Sequence, residues 1–234
     1  MGADHPGTAI PTRFPPGFCD AQVLALRFLF AHQREVVMLT GEHLWLVGVS
    51  MAIAIIVGVP LGILLTRRPR WKTFVLGSTN VIQTIPSLAL FGLLLPLPWL
   101  GARADRLAIV ALALYALLPI VRNTFVGITG ISAPVREAAI AMGLTSSQLL
   151  WMVELPLASP VILAGIRVAA VITIGVATIA AAVGAGGLGE FIFRGIAMVD
   201  NSVILAGAIP AAIMALVADL ALGGLEKLLT RRRH

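Results

Sequence analysis

The sequence predicts an all-α, polytopic membrane bundle of about five transmembrane helices, with an N-terminal interfacial helix and a structured cytoplasmic loop. Three observations carry that prediction. The chain is 59% hydrophobic and only 12% charged, against roughly half and a quarter in soluble domains. Five stretches reach the roughly 20 residues that a helix rising about 1.5 Å per residue needs to cross about 30 Å of hydrocarbon. The basic residues sit in short clusters between those stretches, where they set topology.

Residues 1–20 carry four prolines and no apolar core, which predicts a flexible tail, not a cleaved signal. Cys19 is the single cysteine, so no internal disulfide can form. Residues 21–43 mix Val23, Leu24, Phe28, Leu29 and Phe30 with Arg27, Arg34 and Glu35. Their uninterrupted apolar run is short, the pattern of an interfacial amphipathic helix or of a solvated helix packed on the spans. The spans follow at 44–66, 74–97, 107–125, 161–183 and 203–225, making 44–226 the transmembrane domain. Residues 227–234 form a basic tail.

Arg67, Arg68, Arg70 and Lys72 follow the first span, and Lys227, Arg231, Arg232 and Arg233 follow the last. The positive-inside rule puts both clusters in the cytoplasm. Alternation of five spans then puts residues 127–160 on the same side, and the N-terminus, 98–106 and 184–202 outside. The excess of 17 basic over 11 acidic residues is thereby assigned to anionic lipid and topology, and nucleic acid is excluded as a partner.

The loop at 130–160 is too long for a plain connection and carries its own helix punctuation. Pro134 suits a first helical turn, Glu137 lies close to it, and Gly143 is a residue type that ends a helix. Thr145, Ser146, Ser147 and Gln148 fit a capping box opening a second, amphipathic helix that Pro156 is expected to stop. Ala138 and Ala139 present almost no side chain, so another protein can approach closely.

The spacing Glu137-Ala138-Ala139, Gly143, then Val153-Glu154-Leu155-Pro156 resembles the EAA motif of ABC-importer permeases. The segments EHLWLVGVSMAIAIIVGVPLGILL, NVIQTIPSLALFGLLLPL, YALLPIVRNTFVGI, ELPLASPVILAGIRVA and VGAGGLGEFIFRGIA are similar to the osmoprotectant subfamily, which imports glycine betaine, carnitine, choline or proline betaine. The likeness covers most of residues 42–226. It implies a bacterial inner-membrane permease that lines the path with a second copy or a sister permease. It further implies a periplasmic or lipid-anchored substrate-binding protein, and separate ATPase subunits gripping Glu137, Ala138, Ala139, Gly143, Leu155 and Pro156. The chain has no GxxxxGK[ST] phosphate loop, so ATP binding is assigned to another chain.

Within the second span, Asn80, Gln83, Thr84 and Ser87 surround Pro86. Polar groups are costly in lipid, so these five are the substrate-path candidates, with interhelical hydrogen bonding as the alternative. Gly184, Gly186, Gly187 and Gly189 satisfy GxGxxG, but after a membrane helix on the outer side they suggest an outer gate hinge or tight packing, not a dinucleotide site. Arg167 and Asp219 lie at similar depth and are a candidate ion pair, or each snorkels. His5, His32, His43 and His234 lie outside the spans or at their edges, so neither catalysis nor a metal site is expected, and no cofactor. An ion-coupled secondary transporter or channel is the alternative function, but it has no need of the 137–156 unit and the spans lack midplane ionisable groups for coupling.

Overall fold

The structure, a computed structural model, describes residues 29–231. The expected tail at 1–20, residues 21–28 and residues 232–234 lie outside that range. Helix α1 (Gln33–Arg67) has 35 residues, about 52 Å at the standard rise, longer than the hydrocarbon it crosses. Residues 29–31 are helical and end at a turn at His32, so of the interfacial helix expected at 21–43 the part from Gln33 onward belongs to α1. Residues 33–43 continue the first span, where both carboxylates find protein partners: Glu35 pairs with Arg194 at 2.8 Å, and Glu42 accepts the Gly187 N–H at 3.1 Å.

The second span is broken. Helices α2 (Pro69–Thr84) and α3 (Ser87–Leu94) meet at 103°. Pro86 forces Ile85 into extended backbone (ψ 126°), so the continuous span expected at 74–97 is replaced by a bent pair. A short α4 (Pro98–Gly101) leads to α5 (Ala104–Thr129), which matches the third span.

Helix α6 (Ala133–Ala141) ends before Gly143, whose φ of 82° lies in the left-handed region that glycine favours. Thr145 then caps α7 (Ser146–Leu149): Gln148 N–H donates to Thr145 Oγ1 at 3.4 Å and Thr145 N–H to Gln148 Oε1 at 2.9 Å. Pro156 does not stop this helix. A π turn at Leu150–Glu154 leads directly into α8 (Leu155–Ala180), with Pro156 in its first turn. The wider turn, in which Leu155 N–H donates to Leu150 O, makes room for the proline ring that an unbroken α-helix would force against a carbonyl. A 3₁₀ turn (Ala181–Val183), α9 (Gly189–Met198) and α10 (Asn201–Arg231) complete the chain. The basic tail expected from 227 is helical as far as Arg231.

Close approaches fix the helix directions. Ser50 donates to Ile109 O, and Cβ atoms added at Gly58 and Gly62 would meet Ile120 and Thr124, so α1 and α5 run parallel. Gly127 lies against Ala158 and Val161, and Gly165 against Asn123 and Pro119, so α5 and α8 are antiparallel. Gly207 meets Leu188 while Arg167 reaches Asp219 and Gly223, so α8 and α10 are also antiparallel. Two parallel helices in sequence require the chain between them to cross back. The bent α2–α3 pair is therefore a traversing span and not a re-entrant loop.

The core sits where α1, α5 and α8 meet, around Leu46, Met51, Ala54, Leu112, Ala116, Ile120, Ala169 and Ala177. Glycine and alanine at the crossings let the backbones approach, the packing mode helices use where lipid removes the hydrophobic drive. The ends of α1, α5 and α10, with Arg67, Arg68, Arg70, Lys72, Arg136 and Lys227, mark a basic face; the 184–189 loop and α9 lie on the opposite face.

Candidate functional site

On the basic face the loop at 130–160 stands as two helices around Gly143. Glu137 and Ala138 are exposed and Ala139 is buried at 2%. Large apolar side chains are open to the surroundings here: Val135, Ile140, Met142 (73%), Trp151 and Met152. Pro156 is exposed and Leu155 half-buried.

Behind this surface is a residue that the sequence had placed only as part of a motif. Glu154 is 1% exposed, and its carboxylate takes two arginines from different elements. Arg67 Nη2, at the end of α1, donates at 2.5 Å, and Arg136 Nε, in α6, lies at 3.3 Å. Arg136 Nη2 also donates to Ile128 O near the end of α5. One carboxylate thus joins α1, α6 and the π turn, and its partner Arg136 adds α5. A buried carboxylate is held only by such pairing, since an unpaired charge there is costly.

At the break in the second span, Gln83, Thr84, Pro86 and Ser87 line one cavity of about 330 Å3 with Ile85, Tyr115, Ile172 and Val176. Tyr115 Oη of α5 donates to the Ile85 carbonyl at the break, and in return Gln83 Nε2 of α2 donates at 3.0 Å to Tyr115 O, the carbonyl that Pro119 leaves without its helical donor. Asn80 is exposed, a turn earlier in α2, and does not line this cavity. A second cavity of about 290 Å3 shares Gln83 and Ile172 and adds Leu118, Pro119, Arg122, Asn123 and Val168.

On the opposite face, Gly184, Gly186 and Gly187 all have positive φ, between 78° and 85°. Gly189 lies against the Thr178 carbonyl, where a Cβ would clash. This loop is held by α1. Glu42 accepts the Gly187 N–H, and the fully buried His43 packs under Gly187 with Nε2 3.2 Å from Ile174 O. Nearer the basic face Arg167 donates to both carboxylate oxygens of Asp219 at 2.6 Å, with Glu226 at 3.6 Å. The missing Cβ at Gly223 lets the guanidinium lie across α10.

Residues 58–234 match the family described as binding-protein-dependent transport system inner membrane component. The chain belongs to this family. It is 47% identical over 82% of its length, and 86% of the relative's, to the carnitine transport permease protein OpuCB of Listeria monocytogenes. It is 52% identical over 76% of each chain to the glycine betaine/carnitine/choline transport system permease protein OpuCD of Bacillus subtilis. It is 46% identical over 82% of its length and 90% of the relative's to the osmoprotectant import permease protein OsmW of Salmonella typhimurium. Its fold is similar to that of a chain of the inward-facing MetNI methionine ABC transporter, with a TM-score of 0.75, 24% identity, and coverage of 84% of this chain and 97% of that one.

For this permease the sequence singled out the loop but missed Glu154, Arg67 and Arg136 as a unit, and missed Glu42 and His43 beneath the glycine loop. Glu154 carried a signal, as an isolated carboxylate in an apolar stretch ahead of Leu155-Pro156. Its arginines, far apart in sequence, carried none.

Proposed function

We propose that this permease forms the path for a small quaternary-ammonium osmoprotectant such as glycine betaine, carnitine or choline, and that its 130–160 loop receives the motion of a separate ATPase. The observation that carries the coupling role is an apolar surface on α6 and the π turn, on the basic face, backed by the buried Glu154 ion pairs. A contiguous apolar patch outside the bilayer marks a protein partner. Glu137, Ala138, Ala139, Gly143, Leu155 and Pro156 form or border the docking unit. Closure of the ATPase pair would push α6, and the Glu154 pairs would pass that push to the ends of α1 and α5, as rigid-body switching requires.

The cargo class is supported by the printed functions of relatives at 46–52% identity. Gln83, Thr84, Pro86 and Ser87 serve as path residues around the break in the second span, with Asn80 behind them. Gly184, Gly186, Gly187 and Gly189 serve as the outer gate beneath a docked periplasmic or lipid-anchored binding protein. The Arg167–Asp219 pair holds α8 to α10 while the gates move. The basic face is cytoplasmic by the positive-inside rule, so α1 starts outside and the C-terminus is cytoplasmic. A second copy or sister permease completes the path. No step of bond-making is assigned to this chain.

The test is site-directed crosslinking in membranes holding the permease, its ATPase and its binding protein. An Ile140→Cys variant is expected to crosslink to the ATPase, and a cysteine at Glu190 to the binding protein. Crosslinks with the two partners exchanged would refute the orientation, and the lack of any ATPase crosslink along 137–152 would refute the coupling role.

A further inference from the structure

We propose that Arg122 is a cargo-specificity residue, a cation set in the path to take the carboxylate of a zwitterionic quaternary-ammonium solute and to disfavour a solute that carries only the cation. The proposal rests on the osmoprotectant reading above and deepens it.

Arg122 lies on α5, seven residues before its last residue, Thr129, about 10 Å inside the basic-face end at the helical rise. A charged side chain at such depth is costly and faces a partner or a water-filled space. Three other arginines near that end of the bundle have acidic partners, whereas Arg68 and Arg70, exposed beyond the end of α1, have none within 4.0 Å among the described residues. Arg167 holds Asp219 through both carboxylate oxygens, and Arg67 and Arg136 share Glu154. Among the described residues no acidic group lies within 4.0 Å of Arg122 and no hydrogen bond satisfies it.

Arg122 is exposed on the single chain and borders an open cavity of about 290 Å3, of which it is the one charged lining residue. That volume falls at the lower edge of the range of small-molecule sites, roughly 300–1,000 Å3. The adjoining cavity at Pro86, sharing Gln83 and Ile172, is lined by neutral groups alone. Tyr115 lines the Pro86 cavity and precedes Arg122 by two helical turns, so the neutral chamber lies toward the outer face and the cation toward the basic face. A solute leaving the neutral chamber inward meets a guanidinium. That planar fork matches a carboxylate bidentately and repels an ammonium group. Glycine betaine and carnitine carry a carboxylate; choline carries none. Arg122 therefore discriminates within one cargo class by a group that sits opposite the shared ammonium.

The experiment is uptake by the complete transporter in proteoliposomes, at saturating liganded binding protein, with labelled glycine betaine, carnitine and choline. It compares wild type, Arg122→Gln and Arg122→Lys, and follows ATP hydrolysis alongside. In Arg122→Gln the ratio of carboxylate-bearing to choline uptake is expected to fall roughly tenfold or more, the size of one lost charge-assisted pair. Stimulated ATP hydrolysis is expected to stay within about twofold, well under a tenfold effect. Arg122→Lys, which keeps the charge without the fork, restores part of the ratio. Equal loss for all three solutes and for ATP hydrolysis, an unchanged ratio, or failure of both variants to assemble would each overturn the proposal. A wild-type transporter that imports none of the three refutes the cargo reading itself, which the wild-type arm alone reveals.

Discussion

Replacing Glu154 by Gln removes one charge from the point where α1, α6 and the π turn meet, while keeping nearly the same volume. The carboxylate is 1% exposed and contacts Arg67 at 2.5 Å and Arg136 at 3.3 Å, with those arginine side chains 40% and 31% exposed. Breaking a fully buried pair costs about 3–5 kcal/mol. Here both cations reach solvent and regain hydration, and the amide still accepts one hydrogen bond. The net loss is therefore placed at about 2 kcal/mol, within the range for one charge-assisted hydrogen bond. That is roughly a 30-fold rise in the population with α6 detached. Hydrogen exchange of the permease in nanodiscs reads it directly: backbone amides at 136–142 exchange roughly 30-fold faster in Glu154→Gln, while those in the middle of α5 do not change. In the full transporter the same variant hydrolyses ATP but imports less solute per ATP. Wild-type exchange at α6 together with a wild-type transport ratio would refute the role of Glu154 as the link.

Three further outcomes follow from the same geometry. Gly143→Val meets open space but forces a β-branched residue to φ 82°, costing at least about 1–2 kcal/mol locally; uptake is expected to collapse while membrane insertion, read by protease accessibility, persists. Tyr115→Phe leaves Ile85 O without its side-chain donor inside the bundle, lowering stability by about 1 kcal/mol and altering accessibility of a cysteine placed at Ser87. Arg167→Asp and Asp219→Arg are each expected to reduce assembled transporter on a native gel, and the double exchange to recover part of it, because the pair is bidentate at 2.6 Å.

What the sequence made legible were features with local causes. The spans follow from hydropathy, the Gly143 break from a residue that tolerates positive φ, and the Thr145 cap from a four-residue pattern whose two bonds both form. Pro86 announced a break but not its angle, because the bend also depends on Tyr115 and Gln83 bridging α5 and α2. Pro156 misled for the opposite reason: a π turn absorbs it, and that turn depends on Glu154 being anchored from α1 and α6. The merging of residues 33–43 into the first span needed Arg194 and Gly187, more than 140 residues away in sequence. Of the path candidates, Asn80 does not line the cavity, because it lies a helical turn before the break that opens it.

The central claim is that ATP-driven motion enters through the 130–160 loop to move a quaternary-ammonium solute. Uptake of labelled glycine betaine into proteoliposomes holding the permease, its ATPase and its binding protein tests it most directly, with ATP supplied on the basic face and no ion gradient present. The account predicts accumulation that requires ATP and binding protein and is lost in Gly143→Val. Accumulation driven by a sodium or proton gradient without ATP, and indifferent to Gly143→Val, would contradict it.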